Sequence, residues 1–245
     1  MNNGVKASAL TAANSVFSIA NLELVKKYGR FQNYIPYKQT IDNAKERGLS
    51  VGDYIDTRYN IPGATQATIE QMKDLGALHP GVERVCELGP GSGRYLDKTI
   101  QACHPTSYEI YETATEWRKW LVETYNVVAR EADGISLAGT PTGSVDLVHS
   151  HKVLQGLPIF TVVKYLQEMI RVINDSGTIV FDHVTEACLT QEHLQAWLQP
   201  DEAWIVSMLP KQFVIDYFDS QGFRLIGNFF IAMLPGITEY FVFRR

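Results

Sequence analysis

Residues 85–96 read VCELGPGSGRYL. An apolar run ends in the carboxyl group of Glu87, three glycines follow at alternate positions (Gly89, Gly91 and Gly93), and a helix-compatible segment begins at Arg94. Glycines so placed keep Cβ atoms out of the turn and let the backbone come close to a ligand. A strand, a tight turn and a helix start in succession is also how an open α/β sheet places a ligand beyond the carboxyl ends of its strands.

Outward from this turn, apolar runs alternate with helical periodicity. VERVCEL is the first strand and a helix follows from about Arg94 to Ala102; SYEIYE at 107–112 is the second strand. TEWRKWLVETY sets Trp117, Trp120, Leu121 and Tyr125 on one helical face, and NVVAREA is the third strand. SVDLVHS at 144–150, the amphipathic helix PIFTVVKYLQEMIRVI closed by NDSG, and the strand GTIVFDHV continue the pattern. Parallel strands need crossover connections, so the alternation predicts a parallel sheet with helices on both faces. After helices at about 190–199 and 210–221, FRLIGNFFIAML and TEYFVFRR flank a Pro-Gly turn at 235–236, which predicts an antiparallel hairpin. The expected fold class is therefore α/β: a doubly wound, mostly parallel, seven-stranded Rossmann-like sheet with an antiparallel C-terminal strand.

Residues 1–80 differ in rhythm and are expected to form a helical cap or lid, leaving 81–245 for the sheet domain. SVFSIANLELVKKYG has helical spacing, and a second helix is predicted over about 63–75, with Ile69, Met72 and Leu75 three apart and Gly76 as the stop. Between them lies a polar, aromatic stretch carrying Tyr37, Tyr54, Arg58 and Tyr59.

A chain of 245 residues with 45% hydrophobic and 20% charged residues suits one large soluble domain with a modest extension. A net charge of −5 gives no general footprint for nucleic acid. Three scattered cysteines without a CxxC pair suit a reducing compartment. The N-terminus has no basic start followed by a continuous apolar core, so neither a signal peptide nor a membrane anchor is expected, and the default location is cytoplasmic. Nothing in the sequence indicates an oligomeric state.

Three ligands compete for the glycine turn. A phosphate-cradling P-loop needs GxxxxGK[ST], which is absent. A dinucleotide turn wants its third glycine at position 94, where Arg94 stands. An acid followed by GxGxG suits S-adenosylmethionine, which has no phosphate and whose ammonium group favours a nearby carboxylate such as Glu87. Glu112 closes the second strand at the spacing, roughly 20 residues, expected of an acid that binds ribose hydroxyls. Asp133-Gly134 follows the third strand, where a carboxylate can accept from an adenine amino group; a plain Asp-Gly turn is the alternative.

With these residues the chain resembles the class I S-adenosylmethionine-dependent methyltransferases over about 82–245. The resemblance implies that Glu87, Gly89, Gly91 and Gly93 contact the methionine end and sugar, that Glu112 holds the ribose and that Asp133 meets the adenine. It also implies attack by an acceptor on the sulfonium methyl, where the protein mainly aligns donor and acceptor and excludes water. A hydroxyl acceptor needs a base, and histidine suits that work near neutral pH. His151 and His183 are the candidate bases, with pocket lining as the alternative; His149 is read as a cofactor neighbour. Of the carboxylates that a magnesium site would need, only Asp182 is suitably placed, so no metal is expected. The [DN]PPY pattern of amino-group methylation is replaced by His149-Ser150-His151-Lys152. The expected activity is O-methylation of a small-molecule hydroxyl, on a sugar or natural-product intermediate, with Tyr37, Tyr54, Arg58 and Tyr59 as candidate acceptor contacts. N- or C-methylation of a small metabolite, an NAD(P)-dependent oxidoreductase and a non-catalytic cofactor-binding subunit remain as alternatives.

Overall fold

The computed structural model describes residues 35–198, 205–234 and 236–245, of which Tyr37–Arg245 form one compact unit. The helix expected within 15–29 lies outside the described residues. Three short helices come first: α1 (Tyr37–Glu46), α2 (Val51–Tyr59) and α3 (Ala64–Asp74). Then follow β1 (Arg84–Leu88), α4 (Arg94–Cys103), β2 (Ser107–Tyr111), α5 (Thr115–Tyr125), the two-residue β3 (Val128–Ala129) and β4 (Val145–Ser150). The chain continues through α6 (Ile159–Val172), β5 (Ile173–His183), α7 (Gln191–Trp197), α8 (Lys211–Ser220), β6 (Arg224–Ala232) and β7 (Ile237–Arg244).

The strands form one seven-stranded sheet in the order β3-β2-β1-β4-β5-β7-β6. Pairing is parallel from β3 to β5, and β7 runs antiparallel between β5 and β6. Both faces are covered, so the central strands are buried almost throughout and read as near-continuous apolar runs. On one face Cys86, Leu88, Val148, Phe181, Phe241 and Phe243 pack with Leu166 of α6 and Phe218 of α8. On the other, Val85, Tyr108, Leu147, Val180 and Tyr240 pack with Met72 of α3 and Leu96 of α4.

Two local expectations change. NDSG does not close α6 as a loop: β5 begins at Ile173, directly after the helix. Ile173 pairs with Val145 while Thr178 already pairs with Leu147, so the intervening residues are absorbed as an irregularity in the strand. The Asn174 amide donates to Asp146 Oδ1 at 2.6 Å, fixing that bulge to the neighbouring strand. The aromatic stretch is also more ordered than its composition suggests, since α1 and α2 occupy it. The signal for α2 was a cap, not a period: Ser50 Oγ accepts from the Asp53 amide at 3.0 Å and donates to its carboxylate at 2.7 Å.

The glycine turn between β1 and α4 is built on left-handed backbone. Gly89 has φ +65°, and a Cβ added there would lie 2.5 Å from Val153 Cγ2. Gly89→Ala is therefore expected to destabilise the fold by roughly 2–3 kcal/mol, from strained φ and the clash together. Combining it with Val153→Ala should recover about 1 kcal/mol relative to the sum of the single effects. Urea unfolding of the four proteins checks this, and strict additivity would refute the close contact.

Candidate active site

All of the candidate cofactor residues lie at or just beyond the carboxyl ends of β1 to β4. Gly93 caps α4 in the left-handed region with φ +75°, and a Cβ there would meet Leu121 at 2.5 Å. Gly91, with φ +54°, is different: among the described residues a Cβ would meet nothing within 4 Å, so none of them fills this part of the turn. The Gly91 amide donates to Glu112 Oε2 at 2.7 Å, and the Ala114 amide donates to Oε1 at 2.7 Å. Burial pushes the Glu112 carboxyl upward, while these amides pull the other way. Each of its oxygens keeps a further lone pair. Asp133 is exposed and holds its own turn together, accepting from the amides of Ile135 and Ser136 at 2.8 and 2.7 Å and from the Ser136 hydroxyl at 2.6 Å. Slight burial opposes its charge, but these hydrogen bonds win and hold it below the usual carboxylate range. Gly134 beside it has φ +82°, and a Cβ there would likewise meet nothing within 4 Å among the described residues.

Beneath the turn, on the α4 face of the sheet, buried polar side chains form one connected line. The Tyr108 hydroxyl donates to Glu87 Oε2 at 2.6 Å and lies 2.9 Å from His149 Nε2. His149 Nδ1 is 2.8 Å from His151 Nε2, and His151 Nδ1 is 3.2 Å from the Tyr240 hydroxyl. The Tyr95 hydroxyl lies 3.5 Å beyond, and its ring stacks on His151 at 3.9 Å. The sheet register sets this up, placing Glu87 of β1 directly opposite His149 of β4.

Burial determines the protonation along the line. It drives His149 down to about 3 and His151 well below the ordinary histidine range, so both rings are neutral. A neutral imidazole has one donor and one acceptor. Because Tyr108 donates to Glu87, His149 Nε2–H must donate to Tyr108. His151 Nε2–H must then donate to His149 Nδ1, which leaves His151 Nδ1 as an unprotonated acceptor 3.2 Å from the Tyr240 hydroxyl, whose own proton lies toward the Tyr95 hydroxyl at 3.5 Å. From His151 to Glu87 every proton points toward the carboxyl group. Burial also raises the Glu87 carboxyl to about 8, against the pull of the Tyr108 hydrogen bond.

Glu87, His149 and His151 are close enough to suggest a metal, with one ligand atom from each within 4.8 Å of the others. Yet both His149 nitrogens are already hydrogen-bonded. The Tyr108 hydroxyl also bridges the 3.9 Å between Glu87 and His149. The donor set suits the line of hydrogen bonds better than an ion.

His183 stands apart. It is fully buried, with Nδ1–H donating to the Val184 carbonyl at 3.1 Å and Nε2 at 3.4 Å from the Ser207 hydroxyl. Burial lowers it to about 4. Beside His151, however, lies a charged cluster that the sequence reading passed over. Lys152 adopts φ +60°, and its amide donates to Asp182 Oδ1 at 2.7 Å. Its Nζ is buried without a hydrogen-bond partner among the described residues, 4.0 Å from Asp182 Oδ2 and 5.7 Å from the centre of the Tyr240 ring. Arg94, at the first position of α4, pairs with Asp56 of α2 at 3.2 Å. Helix α2 reaches this place because Gly52 lets it approach: a Cβ there would sit 3.3 Å from Arg94 Cβ.

The candidate acceptor contacts divide. Tyr54 is buried, and its hydroxyl accepts from the Asn43 amide at 3.0 Å. Tyr59 packs edge-on to Tyr54, and the exposed Arg58 lies over the Tyr59 ring. Tyr37 packs edge-on against Trp117 at 5.1 Å. Among the residues of α2, Asp56 rather than these is tied to the cluster at Arg94. It was legible only as an i, i+4 partner of Asn60, whose amide donates to it at 3.1 Å.

This sheet order, glycine turn and acid after β2 define a class I methyltransferase fold. A methyltransferase-domain family model matches residues 63–227, and the chain belongs to that family, with S-adenosylmethionine as its cofactor. Comparison with curated proteins gives no match. Solved structures with the same fold include a putative sarcosine dimethylglycine methyltransferase from Galdieria sulphuraria, 12% identical, covering 74% of this chain and 83% of that one at a TM-score of 0.57. An O-methyltransferase family protein from Burkholderia thailandensis is 12% identical and covers 91% of this chain and 76% of that one, also at 0.57. The putative methyltransferase seen with the Trm112 activator of Haloferax volcanii is 15% identical, covering 75% and 96% at 0.55. Among the described residues, no helix is long and apolar enough to cross a membrane.

The buried line has a consequence for acid stability. In the folded protein His149, His151 and His183 stay neutral, whereas the unfolded chain protonates all three as pH falls below about 6.5. Their contribution is complete above that pH and lost below it. Glu87 acts oppositely, keeping its proton when folded but losing it above about pH 4.5 when unfolded. Between those values the unfolded state binds a net of about two more protons, three histidines against one carboxyl. Stability should fall by roughly 2.7 kcal/mol per pH unit on acidification. Urea unfolding at pH 5 and pH 6 measures this slope, and a flat profile would contradict the neutral buried histidines.

Proposed function

We propose that this methyltransferase transfers the methyl group to a hydroxyl oxygen of a small molecule, using His151 as the base. The observation that carries the reading is the unbroken line from His151 through His149 and Tyr108 to Glu87, in which neutral rings leave every donor pointing the same way. A hydroxyl must lose its proton as the new bond to carbon forms, and a neutral amine acceptor needs no such help in the transition state. His151 Nδ1 carries no proton and is not bonded to His149, so it can take up the acceptor's proton while Nε2–H shares the added charge along the line.

The residues around the turn fit the cofactor. None of the described residues fills the space beside Gly91 and Gly134, where side chains would intrude, and Glu112 has lone pairs left for ribose hydroxyls. Glu87 lies buried near the turn, and an ammonium group close by would favour its ionised form. Asp133 offers Oδ2, which accepts one hydrogen bond from Ser136, as the site for an adenine amino group. When bound, S-adenosylmethionine supplies an electrophilic methyl with a good leaving group. The task of this chain is then to align the acceptor, exclude water and take up a proton at His151. Burial of the polar line supports the exclusion of water, since His151 is only 5% exposed.

The acceptor itself is best sought by offering hydroxyl and amine metabolites with radiolabelled cofactor. Hydroxyl compounds should be labelled, and labelling confined to amines would refute transfer to oxygen. With such an acceptor, His151→Ala is expected to lower kcat about 10²-fold or more while the Kd for S-adenosylhomocysteine stays within about threefold. Gly91→Trp should abolish cofactor binding. A His151→Ala enzyme with full turnover would remove the proposed base.

A further inference from the structure

We infer that Lys152 forms a subsite for a carboxylate next to the acceptor hydroxyl, so that the substrate class is a hydroxy acid. The inference rests on the methyltransferase reading above and adds the chemistry of its acceptor. Lys152 Nζ is buried, and among the described residues none of its hydrogens has an acceptor. An ammonium group held out of water without partners is unfavourable, and such groups are normally paired or hydrogen-bonded. Among the described residues, the one carboxylate within ion-pair distance does not meet that need. Asp182 Oδ2 is 4.0 Å from Nζ, beyond hydrogen-bond length. Its oxygens are also in use: Oδ1 accepts from the Lys152 amide, and Oδ2 accepts from the Thr238 hydroxyl at 2.9 Å and the Gln155 amide at 3.3 Å. Asp182 thus fixes the backbone of Lys152 and leaves its amine for another oxygen.

The position identifies that oxygen's neighbour. Lys152 follows His151 in sequence, and its Nζ lies over the ring of Tyr240, whose hydroxyl is 3.2 Å from His151 Nδ1. A molecule with a hydroxyl for His151 and a carboxylate for Lys152 would satisfy both groups. Charge favours a single negative charge. The cluster holds two cations and two carboxylates, Arg94 with Asp56 and Lys152 near Asp182, so one added negative charge is the most it would take, and Asp182 at 4.0 Å would oppose a dianion. A phosphate monoester therefore fits less well than a carboxylate.

The test uses the whole protein saturated with S-adenosylhomocysteine, titrated calorimetrically with formate, glycolate and salicylate and with the matching amides. At least one acid should bind ten or more times tighter than its amide, and formate is small enough to probe the amine whatever the pocket shape. Lys152→Met should abolish that preference while leaving the Kd for S-adenosylhomocysteine within about threefold. Equal binding of acids and amides, no binding of any acid, tighter binding of inorganic phosphate, or a preference that survives in Lys152→Met would each overturn the subsite. The wild-type comparison decides the matter if the variant does not fold. Failure of S-adenosylhomocysteine itself to bind would refute the cofactor reading instead, so the two failures are distinguishable.

Discussion

A carboxyl group shut away from water at the end of the first strand has to be answered by other polar groups. Glu87 is 1% exposed, and the apolar core on its face of the sheet offers it nothing. Tyr108 answers it, His149 answers Tyr108, and the need passes on through His151 to Tyr240. Each link would be unfavourable alone in that setting, and each is tolerable because the next one supplies its partner. The line draws on four strands and spans a fifth, β5, so the parallel register of β2, β1, β4 and β5 and the antiparallel insertion of β7 are all required to close it.

That dependence explains how much the sequence could tell. The sheet was legible because its strands are short apolar runs between helical periods, a signal local to each segment. The helix at Arg94 and the hairpin around 235–236 fall where the pattern puts them. The glycine turn and the acids Glu87 and Glu112 were legible because strand, turn and helix are contiguous. The links of the line were not: Tyr108, Tyr240 and Tyr95 each look like an ordinary aromatic core residue, and only strand register brings their hydroxyls to the histidines. Lys152 was equally hidden, since a lysine after a strand usually points to water. What distinguishes it is its left-handed backbone and the carboxylate of Asp182, thirty residues on, that holds its amide.

The N-terminal helices add to the site through one contact more than through their aromatic residues. Gly52 brings α2 against the start of α4, and Asp56 then reaches Arg94. The same Asp56 oxygen also accepts from Thr65 at 2.6 Å and Asn60 at 3.1 Å, so α2 and the start of α3 are joined by a small buried network. Arg94, which argued against a dinucleotide when read as a missing glycine, thereby acquires a positive reason to be where it is.

Strand β7 lies between β5 and β6 in the sheet, although it follows both in the chain. During synthesis β5 and β6 cannot settle side by side without blocking the place that residues 237–244 must take. The half of the sheet from β3 to β5 can assemble on the ribosome, but its outer edge has to stay open until that last strand arrives. With it comes Tyr240, so the polar line acquires its final link in the same event that seals the sheet.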